Sequence, residues 1–103
     1  DFRNPDYAVG YAVSKSPLGP WVKYEGNPVL SKKDVNQNGP GHGDFYFDKK
    51  GNLNYVLHTH FSPTQVSKRK TANILFKFKK DGNSFQKPNA DFKSFQFLSV
   101  ADK

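Results

Sequence analysis

The chain has 103 residues, which is enough for one domain of ordinary size. Sixteen Lys and Arg against nine Asp and Glu give a formal net charge of +7, and cysteine is absent. The composition therefore excludes disulfide bonds and any zinc or iron–sulfur site with cysteine ligands. No apolar run approaches the roughly 18 residues of a membrane-spanning helix, so we expect no membrane partner. The start, DFRNP, carries neither Met nor an apolar signal core, which predicts a processed chain or an excised piece of a longer protein.

The residue types favour strands over helices. Aromatic residues make up 16% of the chain, seven Pro and eight Gly interrupt it, and Glu25 is the single glutamate. Aromatic and β-branched residues favour strands, whereas good helix formers other than Lys are few. The composition is that of a globular β protein and not of a disordered basic tail.

Alternating apolar positions predict a series of short strands in chain order. We expect strands at residues 7–14, 44–48, 53–61, 72–78 and 92–100, and a short extended piece at residues 27–30. Turn signals occur at residues 16–21, 48–52 and 80–83, and residues 84–86 are candidates for the start of a return strand. Residues 31–43 are predicted to form a loop, and no segment predicts a helix. Such turns between short strands are typical of sandwiches, barrels and propeller blades.

The segment Gly39-Pro40-Gly41-His42-Gly43 is the best candidate for a functional site. Three glycines around a histidine permit unusual backbone angles and the close approach of other groups. The following strand would hold His42 at the end of a sheet, where an imidazole can ligate a metal or bind a polar ligand. The alternative is a cluster of loop glycines with an incidental histidine.

His58 and His60 are two positions apart on a predicted strand, so we expect both side chains on one face. Together with His42 they would form an open three-histidine zinc site. The more conservative interpretation is that one is a core histidine hydrogen-bonded to backbone and the other a half-exposed neighbour.

The charged residues give weaker signals. No local pair of carboxylates shows the arrangement that a hydrolase with two catalytic carboxylates needs, and Asp48, Asp81 and Glu25 occupy predicted turns. Basic residues interleaved with aromatics are compatible with binding of single-stranded nucleic acid, but an RNA-recognition signature is missing. We therefore expect solvated turns and no nucleic-acid partner. The basic groups concerned are Lys32/Lys33, Lys49/Lys50, Lys68/Arg69/Lys70 and Lys79/Lys80.

Five motifs occur in an order and at intervals that resemble the C-terminal part of a family 43 glycosidase. They are residues 7–14 (YAVGYAVS), 16–21 (SPLGPW), 27–30 (NPVL), 39–42 (GPGH) and 55–60 (YVLHTH). The resemblance covers residues 5 to 83. Gly43 and Asp44 depart from it, because a polar residue, often serine, is expected after the histidine.

The resemblance implies an all-β fold in which antiparallel strands form about one and a half to two blades of a five-bladed β-propeller. Residues 1–83 would supply C-terminal blades, and residues 84–103 a closing strand or a linker. It implies inverting hydrolysis of arabinose- or xylose-containing plant polysaccharides such as arabinan and xylan. The catalytic carboxylates would lie upstream, so we assign no catalytic residue here. His42 would approach a central cation, expected to be calcium, largely through water.

These implications give a working hypothesis for the whole chain. We expect a fragment of a glycosidase that is inactive alone, whose partners are a plant cell-wall oligosaccharide or polysaccharide and the missing N-terminal blades. Unpaired strand edges and apolar faces predict that the isolated chain self-associates. Polymeric substrates imply a secreted or periplasmic protein. The alternative is a stand-alone carbohydrate-binding β module in which Trp21 and the tyrosines stack on sugar rings.

Overall fold

The computed structural model describes residues 1–79 and 87–99, which form two antiparallel sheets and one short helix. The elements are β1 (Ala12–Val13), β2 (Val22–Lys23), α1 (Lys32–Val35), β3 (Gly41–Phe47), β4 (Leu53–Thr59), β5 (Lys70–Lys79) and β6 (Lys87–Phe97). The expected all-β class is confirmed. Within the described ranges, no helix has the length and apolar character needed to cross a membrane.

The larger sheet is an antiparallel meander with the strand order β3-β4-β5-β6. Consecutive strands pair because each hairpin returns the chain beside the strand it has just left. The predicted turn at residues 48–52 is confirmed: the Oδ1 atom of Asp48 accepts hydrogen bonds from the backbone N–H groups of Lys50 and Asn52. The predicted turn at residues 80–83 and the candidate strand start at residues 84–86 lie outside the described residues.

Four of the predicted strands are confirmed, with shifted boundaries. The observed strands are β3, β4, β5 and β6, in place of the predicted ranges 44–48, 53–61, 72–78 and 92–100. The strand β6 begins before Pro88, although a proline was expected to precede the strand. An edge strand such as β6 tolerates proline because one side of its backbone has no partner strand.

One face of the larger sheet carries the core. Tyr55 pairs with Ile74 and Leu57 pairs with Ala72 in the β4–β5 ladder, and all four side chains are buried. Leu30, which lies on the segment before the helix, is also buried in this core. The period-two pattern of β4 and β5 thus predicted the buried face correctly.

The predicted loop at residues 31–43 is wrong in two places. Residues 32–35 form the helix α1, because the Asp34 carboxylate accepts hydrogen bonds from the backbone N–H and the hydroxyl of Ser31. This reciprocal contact between a helix start and its third residue favours a helical turn. The left-handed Asn36, with φ of 54°, ends it. Gly41, His42 and Gly43 belong to β3.

The predicted strand at residues 7–14 is reduced to β1 and one bridge between Val9 and Leu30. The Asn27 side chain pairs with the backbone of Tyr11, whose carbonyl also accepts the Tyr24 N–H at 3.0 Å. Its Oδ1 atom accepts a hydrogen bond from the Tyr11 N–H at 3.0 Å, and its Nδ2 atom donates one to the Tyr11 carbonyl at 2.8 Å. A side-chain amide therefore satisfies backbone groups that a regular ladder would otherwise pair.

Candidate functional site

His42 lies at a bulge at the start of β3. Gly41 pairs with His58 and Asp44 pairs with Val56, so β3 has one residue more than β4 across this interval. An extra residue bends the strand and re-aims its side chains. His42 adopts a left-handed backbone with φ of 50°, which is uncommon outside glycine, and its side chain is exposed.

The glycines around His42 leave room for neighbouring groups, as the sequence predicted. A Cβ atom at Gly39 would overlap the His60 imidazole, and one at Gly41 would overlap the Tyr7 ring. At Gly43 it would overlap the carbonyl oxygen of Val56, which is backbone and cannot rotate away. Gly39 also has φ of 59°, a conformation that glycine adopts without steric cost.

His60 and Arg69 hold this glycine–histidine loop in place. The Nε2 atom of the buried His60 lies 2.8 Å from the Phe2 carbonyl oxygen, and the His60 N–H donates to the Asn38 carbonyl at 2.9 Å. The Nη2 atom of Arg69 donates to the Gly39 carbonyl at 2.6 Å. The interpretation of one histidine as a core residue bonded to backbone is therefore confirmed for His60.

Arg69 supports the loop that carries His42, a role that its place in a basic run does not indicate. Its guanidinium lies 5.8 Å from the Phe2 ring centroid. Its Nε atom is buried, and no hydrogen-bond partner for it occurs among the described residues. The residue type could have indicated this role, because arginine is better suited than the neighbouring lysines to donate several hydrogen bonds in a fixed geometry.

The three histidines do not form a zinc site. His58 is half-buried, and its ring lies edge-on to that of His42 with the centroids 5.8 Å apart. Because β4 ends at Thr59, His60 leaves the strand and its ring contacts Phe2 instead. No group of three His, Cys, Asp or Glu side chains suited to a metal occurs in residues 1–79 and 87–99. The two side chains have different partners, so His60 does not join the pair formed by His42 and His58.

Electrostatics favour the neutral form of His58. Burial lowers the pKa of its imidazole, and the charges of Arg69 and His42 lower it further. Burial also raises the pKa of Tyr55, whose ring lies beneath Gly43. His42 and neutral His58 therefore form an adjacent pair of imidazoles in which the exposed member can exchange hydrogen bonds with a ligand.

Several aspartates have partners within the described part of the chain. Asp6 forms an ion pair with Lys32 at 2.6 Å, and the Asp44 Oδ1 atom accepts the Phe45 N–H at 2.8 Å. Hydrogen bonding lowers the pKa of Asp48, chiefly through the Asn52 backbone N–H. The role of Asp48 matches the turn position that the sequence predicts for it.

The opposite face of the sheet carries a polar chain that the sequence did not indicate. The Tyr46 hydroxyl donates to Asn73 Oδ1 at 2.9 Å, and Asn73 Nδ2 donates to Asn54 Oδ1 at 2.8 Å. Asn54 Nδ2 in turn donates to Asp48 Oδ2 at 3.1 Å. Because Asn54 and Asn73 are buried and hydrogen-bonded to each other, this chain fixes the β4–β5 register.

The described residues form an antiparallel β protein that presents a histidine on a glycine-rich bulge. Comparisons with known proteins identify its family. The model of glycosyl hydrolases family 43 matches residues 2–84. The chain belongs to this family. No curated protein matches it.

Two solved structures are similar to the chain. An endo-1,4-beta-xylanase from Bacteroides thetaiotaomicron VPI-5482 shares 33% identity with a TM-score of 0.77. A thermostable family-43 glycoside hydrolase shares 38% identity with a TM-score of 0.75. Both alignments cover 88% of this chain, which spans only 30% and 28% of the two structures.

Proposed function

We propose that the chain is a C-terminal part of an inverting glycosidase acting on arabinose- or xylose-containing plant polysaccharides, to which it contributes His42 and part of the sugar funnel. The observation that carries the proposal is the exposed His42 on a bulge of a family 43 chain, braced by Arg69 and His60. A loop fixed by buried hydrogen bonds can present one imidazole with little loss of conformational entropy on binding. Similarity to a xylanase supports the substrate class.

The proposal assigns the bond-cleaving groups to the rest of the protein. Inverting hydrolysis needs a carboxylic acid on one side of the glycosidic bond and a carboxylate base on the other. The described carboxylates near His42 do not provide such a pair, since Asp44 accepts a backbone hydrogen bond at the strand start. In the proposed propeller, the sheet β3-β4-β5-β6 would form one four-stranded blade, and the missing N-terminal blades would close the ring.

A central calcium ion would have to obtain its ligands elsewhere. Calcium takes six to eight oxygen ligands. The described residues offer no group of three side chains suited to a metal, and the exposed His42 supplies nitrogen. The chain therefore does not fit direct coordination of calcium. His42 would contact such an ion only through water.

Exchange of His42 for alanine in the enzyme that contains this chain tests the proposal. We expect kcat/KM on an aryl xyloside or arabinofuranoside to fall by about 10²-fold, the typical loss when one well-placed hydrogen-bonding group is removed from an active site. The matched control is Lys50→Gln in the β3–β4 turn, an exposed site at the other end of β4. Unchanged kcat/KM in His42→Ala, with an unchanged melting temperature, would contradict the proposal. The 103-residue chain alone should show no turnover.

A carbohydrate-binding module is the second candidate, favoured by Trp21, which is 60% exposed. An exposed indole provides a flat apolar face for a sugar ring. Titration of the isolated chain with neutral xylo- or arabino-oligosaccharides distinguishes the two functions. A binding module saturates and quenches Trp21 fluorescence, whereas part of a catalytic domain does not saturate. In either case, a polymeric plant substrate favours a secreted or periplasmic protein.

We expect the isolated chain to self-associate. Aromatic side chains on the larger sheet are exposed, and Phe47 is the most exposed of them at 72%. In the proposed propeller, neighbouring blades would cover such surfaces. Light scattering during size-exclusion chromatography should therefore give a mass above 11.7 kDa that falls on dilution. A monomer at all concentrations with a high melting temperature would contradict this expectation. The exposed aromatic residues are Phe45, Tyr46, Phe47, Phe92 and Phe97.

A further inference from the structure

A groove lies beside the His42 loop, at the same end of the larger sheet. It has a volume of about 620 Å³ and runs between the segment that precedes β3 and the loop that joins β4 to β5. Asn38, which lines it, is followed directly by Gly39, and His60 lies in its wall. Asn38 and His60, which are hydrogen-bonded to each other, therefore line the groove and also hold the loop that presents His42.

The groove is basic. Lys32, Lys33 and Lys70 line it, and no carboxylate does so within the described part of the chain. Lys32 is paired with Asp6, which lies outside the groove. Lys33 is exposed, and the Lys70 ammonium is held 3.2 Å from the Gln37 Oε1 atom and 4.2 Å from the Phe97 ring centroid. Neither the amide nor the aromatic ring neutralises that charge, so the groove attracts anions.

The uncharged side chains that line the groove are suited to binding a sugar. Phe61 is 44% exposed at one side of the groove and offers an apolar face. Asn36, Gln37 and Asn38 contribute three amide side chains, each of which both donates and accepts hydrogen bonds. One aromatic face with several amides matches the hydroxyl-rich and partly apolar surface of a pyranose. Nucleic acid, in contrast, is bound through several stacking platforms along a basic track.

We propose that this groove binds a uronic acid substituent of the polysaccharide, with the carboxylate between Lys33 and Lys70 and the sugar ring against Phe61. The inference rests on the proposed function, since it makes an acidic side branch of a xylan-type chain the recognised group. Charge-assisted hydrogen bonds from the two ammonium groups would orient the branch. The main chain of the polysaccharide would then continue toward His42.

The test compares two ligands that differ by one charged branch. NMR titration of the 15N-labelled 103-residue chain uses a glucuronic acid-substituted xylotetraose and unsubstituted xylotetraose at low salt. We expect the acidic ligand to saturate the chain and unsubstituted xylotetraose to bind at least about 5-fold more weakly, without reaching saturation. The preference should shrink at 0.5 M NaCl, because exposed charges are screened by salt. Lys33→Gln and Lys70→Gln should each reduce the preference to about twofold. Lys70→Arg should retain it, since the positive charge is kept.

Lys50→Gln is the control, because it removes one positive charge in the turn at the opposite end of β4 and should leave the preference unchanged. Equal affinity for both ligands, or no binding of either, overturns the inference. If both ligands saturate the chain equally, the proposed function is also contradicted and a binding module is favoured. If neither ligand binds, only the inference about the groove fails and the proposed function stands. A loss in Lys50→Gln equal to that in Lys33→Gln indicates attraction by net charge alone and overturns the inference. Tighter binding of a single-stranded oligonucleotide at the same resonances would also overturn it, in favour of nucleic acid.

Discussion

Gly43→Ala is expected to lower the free energy of unfolding by about 3 kcal/mol, the upper part of the usual range for overpacking. The added Cβ would overlap the carbonyl oxygen of Val56, a backbone atom of the paired strand β4. To remove this overlap, β3 and β4 must move apart at the bulge that carries His42. The substitution should therefore also shift the His42 and His58 ring resonances, because the contact between the two rings depends on this bulge.

Gly51→Ala is the matched control in the same hairpin. Gly51 has φ of 82°, and a Cβ atom there would meet nothing within 4 Å. Its replacement costs only the strain of a left-handed backbone, about 1–2 kcal/mol. Urea denaturation followed by circular dichroism, at one protein concentration for all variants, gives both values. A loss in Gly43→Ala no larger than in Gly51→Ala would show that the β3–β4 pair has room for a side chain.

Ile74→Ala is expected to cost about 4 kcal/mol, within the range measured for large-to-small substitutions in cores. Ile74 is fully buried on β5, an interior strand of the larger sheet, and it faces Tyr55 across the ladder. Removing its side chain beyond Cβ leaves a cavity that strands held on both sides cannot close. A chain of this size has a total stability of about 5–15 kcal/mol, so the variant should be largely unfolded at moderate urea concentration.

Two substitutions calibrate the Ile74 result. Ile74→Val removes one methylene from the same position and should cost about 1 kcal/mol. Val22→Ala, at a side chain that is 63% exposed, should change stability by less than about 0.5 kcal/mol. The order Ile74→Ala, Ile74→Val, Val22→Ala in urea midpoints is the expected result. Similar midpoints for Ile74→Ala and Val22→Ala would contradict the assignment of the core to this face.

Local patterns predicted the strands that form the centre of the sheet. In β4 and β5 an apolar residue recurs at nearly every second position, and Leu57 and Ile74 lie on the buried face as that period requires. The β3–β4 turn was also predictable, since Asp48 and Gly51 are residues whose side chain or backbone favours a tight turn. These features depend on neighbours within a few residues of each other, which a sequence displays directly.

Errors occurred where a distant group, or a weak local signal, decided the local structure. Residues 7–14 alternate like a strand, but the Asn27 amide, sixteen residues away, bonds to both the N–H and the carbonyl of Tyr11. The helix α1 is only four residues long, and its Ser31–Asp34 contact is too small a signal among loop residues. The start of β6 was missed because proline removes a ladder donor, and only the position of the strand at an edge makes that tolerable.

The glycine–histidine segment, residues 39–43, shows most clearly which features the sequence predicts and which depend on the tertiary structure. From residue types alone, His42 was the candidate for a functional histidine, and close packing around its glycines was expected. The sequence by itself determined the strands, the buried face and the family, because alternation, turn chemistry and motif order are local or linear properties. Only the tertiary structure decided that His58 contacts His42 while His60 and Arg69 reach carbonyl groups of Phe2 and Gly39. Those contacts span up to 58 positions, and hydrogen bonds over such separations depend on how the sheet and the N-terminal segment pack.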